Sequence, residues 1–292
     1  MPALNAPSPE ISALLFLALE AGREIMTIYQ GDFTAAVKAD GSPVTIADQA
    51  AEAVILAGLK ESFQSVPVVA EEAVEAGHLP EVAERYFLVD PLDGTKEFVS
   101  QNGEFTVNIA LVDQGVPVFG VVYAPVLGDI YWGGTLPADL SGEGTSESGA
   151  FKAKVQNGGI ETISRISVRQ SPFEGLSVLA SRSHLSKATS AFIEQFQVAE
   201  TVSVGSSLKF CVVAEGKADL YPRLGPTMQW DIAAGDAVLR AAGGEVLRLE
   251  DHSPVTYQVP PQAQKADLLS PFFVALSNRD LLGAAGLLAK AV

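Results

Sequence analysis

The sequence predicts a layered α/β protein in two parts, an N-terminal α+β part and a C-terminal α/β part. Three observations lead to this fold class. The chain opens with two segments of helical periodicity, glycines then separate a series of apolar strands, and helices alternate with strands in the second half. With 292 residues, of which 48% are hydrophobic, the chain can bury the cores of two domains.

Residue spacing defines the elements of the N-terminal part. Apolar residues between positions 11 and 28 recur every three or four residues, which predicts a helix over residues 10–30. A second helix is predicted over residues 45–63. Strands of an antiparallel meander, punctuated by Gly115 and Gly128, are predicted at 66–70, 86–90, 106–113, 116–123 and 129–132.

The second half begins with a segment rich in Gly, Ser and Glu. Residues 133–160 form either an exposed hairpin or the connection between domains. Beyond them, strands are predicted at 163–169, 176–180, 201–204 and 245–249, and helices at 186–196, 207–215 and 230–242. We therefore divide the chain into a domain of residues 1–140, an insert or connection of residues 141–160, and a domain of residues 161–292.

Composition excludes several classes of protein. Acidic residues outnumber basic ones 35 to 19, for a net charge of −16, which argues against a groove for a nucleic-acid backbone. Cys211 is the only cysteine, so an internal disulfide and zinc sites built from several cysteines are excluded. The apolar stretch 11–19 is too short to span a bilayer and makes a poor signal peptide. We expect a cytoplasmic protein without a transmembrane segment, with peripheral attachment to the inner face of the plasma membrane as an added option.

The most informative segment is residues 86–98, in which an apolar strand runs into two carboxylates. The proline after Asp90 prevents helical geometry there, so Asp90 and Asp93 lie in a turn at the end of a strand. Gly94 can adopt a positive φ, and Thr95 then starts the next element. Carboxylates beside backbone N–H groups suit a hard divalent cation and a phosphate, although Asp-Gly alone is common in surface turns.

Other acidic residues gain weight beside this segment. Glu71 and Glu72 follow another apolar strand, where acids are usually just solvated. Asp231 opens a helix, where an acid is ordinarily a cap or dipole partner. Asp48 pairs with Thr45 in a plausible capping box.

Asp236 lies five residues after Asp231, about 140° around the helix. We expect it to be a solvated surface acid.

Together these motifs resemble the inositol monophosphatase superfamily of Mg²⁺-dependent, lithium-sensitive phosphatases. The resemblance implies a sugar-phosphatase-like αβαβα sandwich, a metal-binding first domain and a substrate-binding second domain, with two or three Mg²⁺ ions. It implies that Asp48 and Thr95 orient the attacking water and take its proton, and that Glu72 contacts a water or a ligand. The implied metal ligands are the side chains of Glu71, Asp90, Asp93 and Asp231 and the carbonyl group of Leu92.

Further stretches, at 102–110, 120–125, 181–184, 205–211 and 221–223, resemble the bacterial 3′(2′),5′-bisphosphate nucleotidases of the CysQ type within this superfamily. That branch removes the 3′-phosphate of adenosine 3′,5′-bisphosphate, a by-product of sulfate assimilation, to give AMP. Lys209 and Arg223 would then supply positive charge to the phosphate that is not cleaved. The implied substrate-binding residues are Gly94, Thr95, Ser183, His184, Gly205, Ser206, Lys209 and Arg223.

Two kinds of alternative remain open. One is inositol monophosphatase or fructose 1,6-bisphosphatase activity within the same superfamily; residues 205–210 favour the nucleotidase, because a neutral polyol offers nothing for a second basic cluster to bind. The other is an inactive metal-binding regulatory protein, against which the full set of acidic residues argues. The expected partner is a small nucleotide, with no nucleic acid, and a homodimer is one option for the oligomeric state.

Overall fold

The structure, a computed structural model, describes residues 7–31, 36–37, 43–44, 46–141, 148–170, 175–180 and 186–287. Its α-helices are α1 (Pro9–Tyr29), α2 (Ile46–Ser62), α3 (Glu71–Glu75), α4 (Thr95–Val99), α5 (Lys187–Ile193), α6 (Leu208–Ala214), α7 (Gln229–Ala241) and α8 (Asp280–Ala284), with a 3₁₀ helix at Lys265–Leu268. Its strands are β1 (Ala36–Val37), β2 (Pro43–Val44), β3 (Val68–Ala70), β4 (Arg85–Asp93), β5 (Thr106–Asp113), β6 (Val116–Ala124), β7 (Asp129–Gly134), β8 (Gly149–Gln156), β9 (Gly159–Ile166), β10 (Leu176–Ala180), β11 (Val198–Ser203), β12 (Leu220–Arg223), β13 (Glu245–Arg248) and β14 (Phe273–Leu276).

Two mixed sheets and three layers of helices alternate through the described residues. The larger sheet has the strand order β3-β4-β5-β6-β7-β8-β9, and only its β3–β4 pair is parallel. The smaller sheet has the order β11-β10-β12-β14-β13. Helices α1 and α2 cover the outer face of the larger sheet, α6 and α7 fill the space between the sheets, and α5 and α8 cover the smaller sheet. This layering confirms the predicted αβαβα sandwich.

Helix α7 packs directly against the backbone of the larger sheet because small residues face each other there. A Cβ atom at Gly120 on β6 would overlap the carbonyl group of Ala234. A Cβ atom at Gly133 on β7 would lie 2.9 Å from the Cβ of Ala241. The two glycines therefore let the helix rest on the backbone of the sheet, with Asp231 in its first turn.

The sequence-based elements agree with the structure at most positions, and the differences are informative. Residues 149–166 form the hairpin β8–β9 that extends the larger sheet, which was one of the two alternatives for residues 133–160. Strands β12 and β14, at 220–223 and 273–276, were not predicted. The domain boundaries stay a prediction.

Thr45, the partner of Asp48 in the predicted capping box, lies outside the described residues. No helix within the described residues has the length and hydrophobicity to cross a membrane.

The expectation for Asp236 was wrong. Its side chain is fully buried, and its carboxylate accepts hydrogen bonds from Arg240 at 2.6 and 3.1 Å and from the Tyr257 hydroxyl at 2.9 Å. The face of α7 opposite a predicted site need not be solvent-exposed, since in this fold α7 is enclosed between two sheets.

Candidate active site

The end of strand β4 positions the first two carboxylates. The Leu92 N–H donates a 3.0 Å hydrogen bond to Oδ1 of Asp90, and the pairing of β4 with β5 is irregular between Asp90 and Asp93. Gly94 then has φ +99°, a left-handed conformation, and Thr95 begins α4. The predicted turn at Asp90 was wrong in position, because strand β4 continues through an irregularity to Asp93 and the chain turns only at Gly94. Both aspartates nevertheless lie at the same end of the strand.

Asp231 joins them from the second half of the chain. It lies in the first turn of α7, where its Oδ2 accepts hydrogen bonds from the Thr227 hydroxyl at 2.6 Å and the Met228 N–H at 2.9 Å. Its carboxylate thus caps its own helix. The capping role and the predicted role in metal binding use the same side chain.

Glu71 is carried by the short helix α3, which follows strand β3. The start of this helix is held by Glu52 on α2, whose carboxylate accepts hydrogen bonds from the N–H groups of Glu72 and Ala73, both at 2.8 Å. Asp48 lies one turn before Glu52 on the same helix and is 1% exposed. Sequence analysis missed Glu52, although its spacing of four residues from Asp48 places both acids on one face of α2.

A pocket of about 470 Å³ collects most of the predicted site. Its walls include Glu71, Asp90, Leu92, Asp93, Gly94, Thr95, Arg223 and Asp231. Sequence analysis missed the other residues of its wall, which are Glu75, Lys96, Glu97, Pro226, Thr227, Met228, Lys265 and Leu269. Among the predicted catalytic residues, Thr95 lines this pocket, whereas Asp48 and Glu72 are not part of the lining.

The pocket concentrates carboxylates, of which Asp90 is buried and Glu71, Asp93 and Asp231 are half-buried. Burial raises the pKa of Asp90 well above its usual value, and the charges of Glu71, Asp93, Asp231 and Asp48 raise it further. Burial, and next the charge of Asp231, raises the pKa of Asp93 to about 6, although hydrogen bonds from Ser207 oppose the shift. Buried oxygen ligands that repel one another fit a hard divalent cation such as Mg²⁺.

The carboxylates line the pocket without meeting at one point. In the described part of the chain, no three Asp, Glu, His or Cys side chains converge closely enough to form a complete metal-binding group. Local hydrogen bonds to Leu92, Ser207 and Thr227 hold the individual carboxylates instead.

Lys209 differs from expectation in its surroundings. It is only 4% exposed, and its ammonium group donates hydrogen bonds to the carbonyl oxygens of Ser206 at 2.7 Å and Val204 at 3.2 Å. Burial lowers the pKa of Lys209 to about 8, against the opposing charge of Asp93. Lys209 also lines a smaller pocket of about 90 Å³ together with Arg223, which borders both pockets.

The remaining predicted substrate-binding residues have mixed outcomes. The Gly205 N–H donates a 2.7 Å hydrogen bond to Glu104, and a Cβ atom at Gly205 would lie 2.7 Å from the Glu104 carbonyl oxygen, so this glycine is needed for packing within the chain. Ser206 lines the smaller pocket. Ser183 and His184 lie outside the described residues.

Comparison with known proteins agrees with this geometry. Residues 7–278 match the inositol monophosphatase family. The chain belongs to this family. It is similar to the 3′(2′),5′-bisphosphate nucleotidase CysQ of Salmonella typhimurium, with 47% identity over 79% of this chain and 87% of the relative, and to that of Escherichia coli K12, with 46% identity over the same shares. The crystal structure of CysQ from Bacteroides thetaiotaomicron has 39% identity and a TM-score of 0.71, and the match covers 92% of this chain and 97% of that one.

Proposed function

We propose that this protein is a Mg²⁺-dependent 3′(2′),5′-bisphosphate nucleotidase, which hydrolyses the 3′-phosphate of adenosine 3′,5′-bisphosphate to give AMP and phosphate. The observation that carries the proposal is the pocket that combines carboxylates of both halves of the chain with Arg223. The similarity to the CysQ nucleotidases supports the choice of substrate. We further propose two or three Mg²⁺ ions and inhibition by Li⁺. The homodimer and the cytoplasmic location stay predictions.

The chain's own residues divide the chemistry between them. Glu71, Asp90, Asp93, Asp231 and the Leu92 carbonyl group would hold Mg²⁺, which supplies the positive charge that polarises the phosphate and activates water. Their negative charge alone would repel a phosphate, so the same residues exclude substrate until the cation neutralises them.

Proton transfer and orientation fall to the neighbouring side chains. Thr95, in the first turn of α4, has a hydroxyl group that can orient the attacking water, and Asp48 can take the proton. Asp48 is 1% exposed, and its charge acts on Asp90. Arg223 would bind the phosphate that is not cleaved.

Inositol 1-phosphate is the second candidate substrate. The preference for a nucleotide substrate depended on two basic residues, Lys209 and Arg223. The ammonium group of Lys209, however, donates to backbone carbonyl oxygens. Arg223 also donates to a backbone carbonyl oxygen, that of Pro226 at 2.8 Å, but unlike Lys209 it lines the larger pocket, so we propose that Arg223 makes the larger contribution to substrate discrimination.

A phosphate-release assay with Mg²⁺ tests the proposal. We expect the highest kcat/KM for adenosine 3′,5′-bisphosphate, a lower value for inositol 1-phosphate and fructose 1,6-bisphosphate, and no activity in excess EDTA. A preference for inositol 1-phosphate would replace the nucleotidase with the second candidate. Undiminished phosphate release in EDTA would contradict the metal-dependent chemistry.

A further inference from the structure

Ser207 is bonded to both halves of the acidic pocket. Its hydroxyl group lies 2.8 Å from Oδ2 of Asp93 and 2.5 Å from the backbone carbonyl oxygen of Asp231. Its backbone N–H donates to the same Oδ2 of Asp93 at 2.6 Å. One residue therefore connects the end of strand β4 to the first turn of helix α7.

Asn108 completes this connection from strand β5. Its side-chain amide donates a 3.0 Å hydrogen bond to the Ser207 hydroxyl oxygen. Because that oxygen already accepts from Asn108, its single proton points to the side on which Oδ2 of Asp93 and the Asp231 carbonyl oxygen share it. Ser207 and Asn108 are 1% and 0% exposed, so water does not compete for these contacts.

We infer that Ser207 is a positioning residue that sets the arrangement of Asp93 and Asp231 for binding a divalent cation, with Asn108 orienting its hydroxyl group. The inference rests on the proposed Mg²⁺ dependence. Both Ser207 donors reach Oδ2 of Asp93, so Ser207 does not engage Oδ1 of that carboxylate. The arrangement fixes the rotation of the carboxylate and the distance between two ligands that are far apart in the sequence.

The contribution of a residue that holds a metal ligand in place can be measured as a change in metal affinity. Loss of a residue that orients a metal ligand typically weakens metal affinity by about 10- to 100-fold. In Ser207→Ala the backbone N–H still donates to Asp93, so the carboxylate keeps one of its two contacts. We therefore expect the loss to be smaller than that caused by Asp93→Asn.

Mg²⁺ binding, measured by calorimetric titration of the purified full chain, tests the inference without reference to turnover. We expect Ser207→Ala to weaken Mg²⁺ binding by about 10- to 100-fold, and Ser207→Thr, which keeps the hydroxyl group, to recover part of the loss. The matched control is Ser177→Ala, because Ser177 is also buried and its hydroxyl oxygen has no hydrogen-bond partner among the described residues. This control should bind Mg²⁺ as the wild type does.

Asn108→Leu, which keeps the side-chain volume, covers the case in which Ser207→Ala fails to fold. If Asn108 acts through Ser207, Asn108→Leu should weaken Mg²⁺ binding, and the double variant should bind about as weakly as Ser207→Ala. Unchanged affinity in Ser207→Ala or in Asn108→Leu, or additive losses, would overturn the positioning role while the proposed function stands. A wild-type chain that binds no Mg²⁺ would overturn both.

Discussion

The Glu52 carboxylate accepts a 2.8 Å hydrogen bond from the backbone N–H of Glu72, on a helix that no sequence motif connects with it. Its other oxygen accepts from Ala73 at the same distance. These two N–H groups lie in the first turn of α3, where a helix has no internal acceptors. A buried acid on α2 therefore fixes the helix that brings Glu71 to the pocket.

We expect Glu52→Ala to lower the free energy of unfolding by about 1–3 kcal/mol, because it leaves two partly buried N–H groups without their acceptor. It should also weaken Mg²⁺ activation, since Glu71 loses its support. Chemical denaturation and the Mg²⁺ dependence of phosphate release measure the two effects. Glu61→Ala, on an exposed position of the same helix, is the control and should change neither. Equal behaviour of the two variants would mean that α3 is held by its packing alone.

Asp93→Asn and Asp236→Asn should separate chemistry from stability. Asp93→Asn removes a charge that the cation needs and should reduce kcat by on the order of 100-fold or more, with the fold intact. Asp236→Asn breaks a buried network with Arg240 and Tyr257, so it should lower the melting temperature and leave kcat per folded molecule nearly unchanged. Steady-state kinetics and thermal denaturation of both variants give the comparison. A large loss of kcat in folded Asp236→Asn would show that this network reaches the pocket.

Asp236 illustrates what the sequence could and could not give. The helical period correctly predicted that the Asp236 side chain points away from Asp231. Exposure, however, depends on what covers the far side of α7, and that cover comes from strands and from Tyr257, which lie elsewhere in the chain. Periodicity describes one element at a time, so it cannot state how many sheets enclose a helix.

Mg²⁺ should raise the melting temperature of the wild type, because it neutralises carboxylates that repel one another. At a Mg²⁺ concentration of 100 times Kd the free energy of unfolding increases by about 2.7 kcal/mol.

Asp90→Asn should show the opposite dependence of stability on Mg²⁺. It removes the charge at the centre of the repulsion and keeps an oxygen for the Leu92 N–H, so it should be more stable than the wild type in EDTA and gain little from Mg²⁺. Thermal denaturation with and without Mg²⁺ measures both, and a wild-type chain insensitive to Mg²⁺ would contradict the expectation.

Arg223→Ala should change substrate choice more than chemistry. A charge-assisted hydrogen bond contributes about 1.5–3 kcal/mol, so kcat/KM for adenosine 3′,5′-bisphosphate should fall about 10- to 100-fold. Adenosine 3′-phosphate lacks the 5′-phosphate and should be affected much less. Equal losses on both substrates would place Arg223 at the scissile phosphate.

Lys209→Ala serves as the comparison for that experiment. Because Lys209 donates to the carbonyl oxygens of Val204 and Ser206, its loss should lower stability and affect both substrates alike. A selective effect on the bisphosphate would support the phosphate-binding role that the sequence predicted for Lys209.

The pocket residues that could be predicted are those whose positions are specified by their neighbours in the sequence. Asp90, Asp93 and Gly94 were found because an apolar strand, a proline and a glycine mark the end of one strand within a few residues. Ser207 and Asn108 were missed because their partners lie 114 and 99 residues away in the sequence. A polar residue inside the apolar run of β5 was the available signal for Asn108, and only the folded chain shows what it bonds.

The contact between Gly120 and Ala234 affects how activity can be inferred for related sequences. Strand β6 is the surface on which α7 rests, so the aim of Asp231 depends on a glycine that lies outside the pocket. A single methyl group at Gly120 would lift the helix and misdirect the aspartate, while every residue of the pocket stayed the same. A comparison of pocket residues alone would then assign activity to an inactive relative. Gly120 and Gly133 should therefore be compared together with the pocket residues.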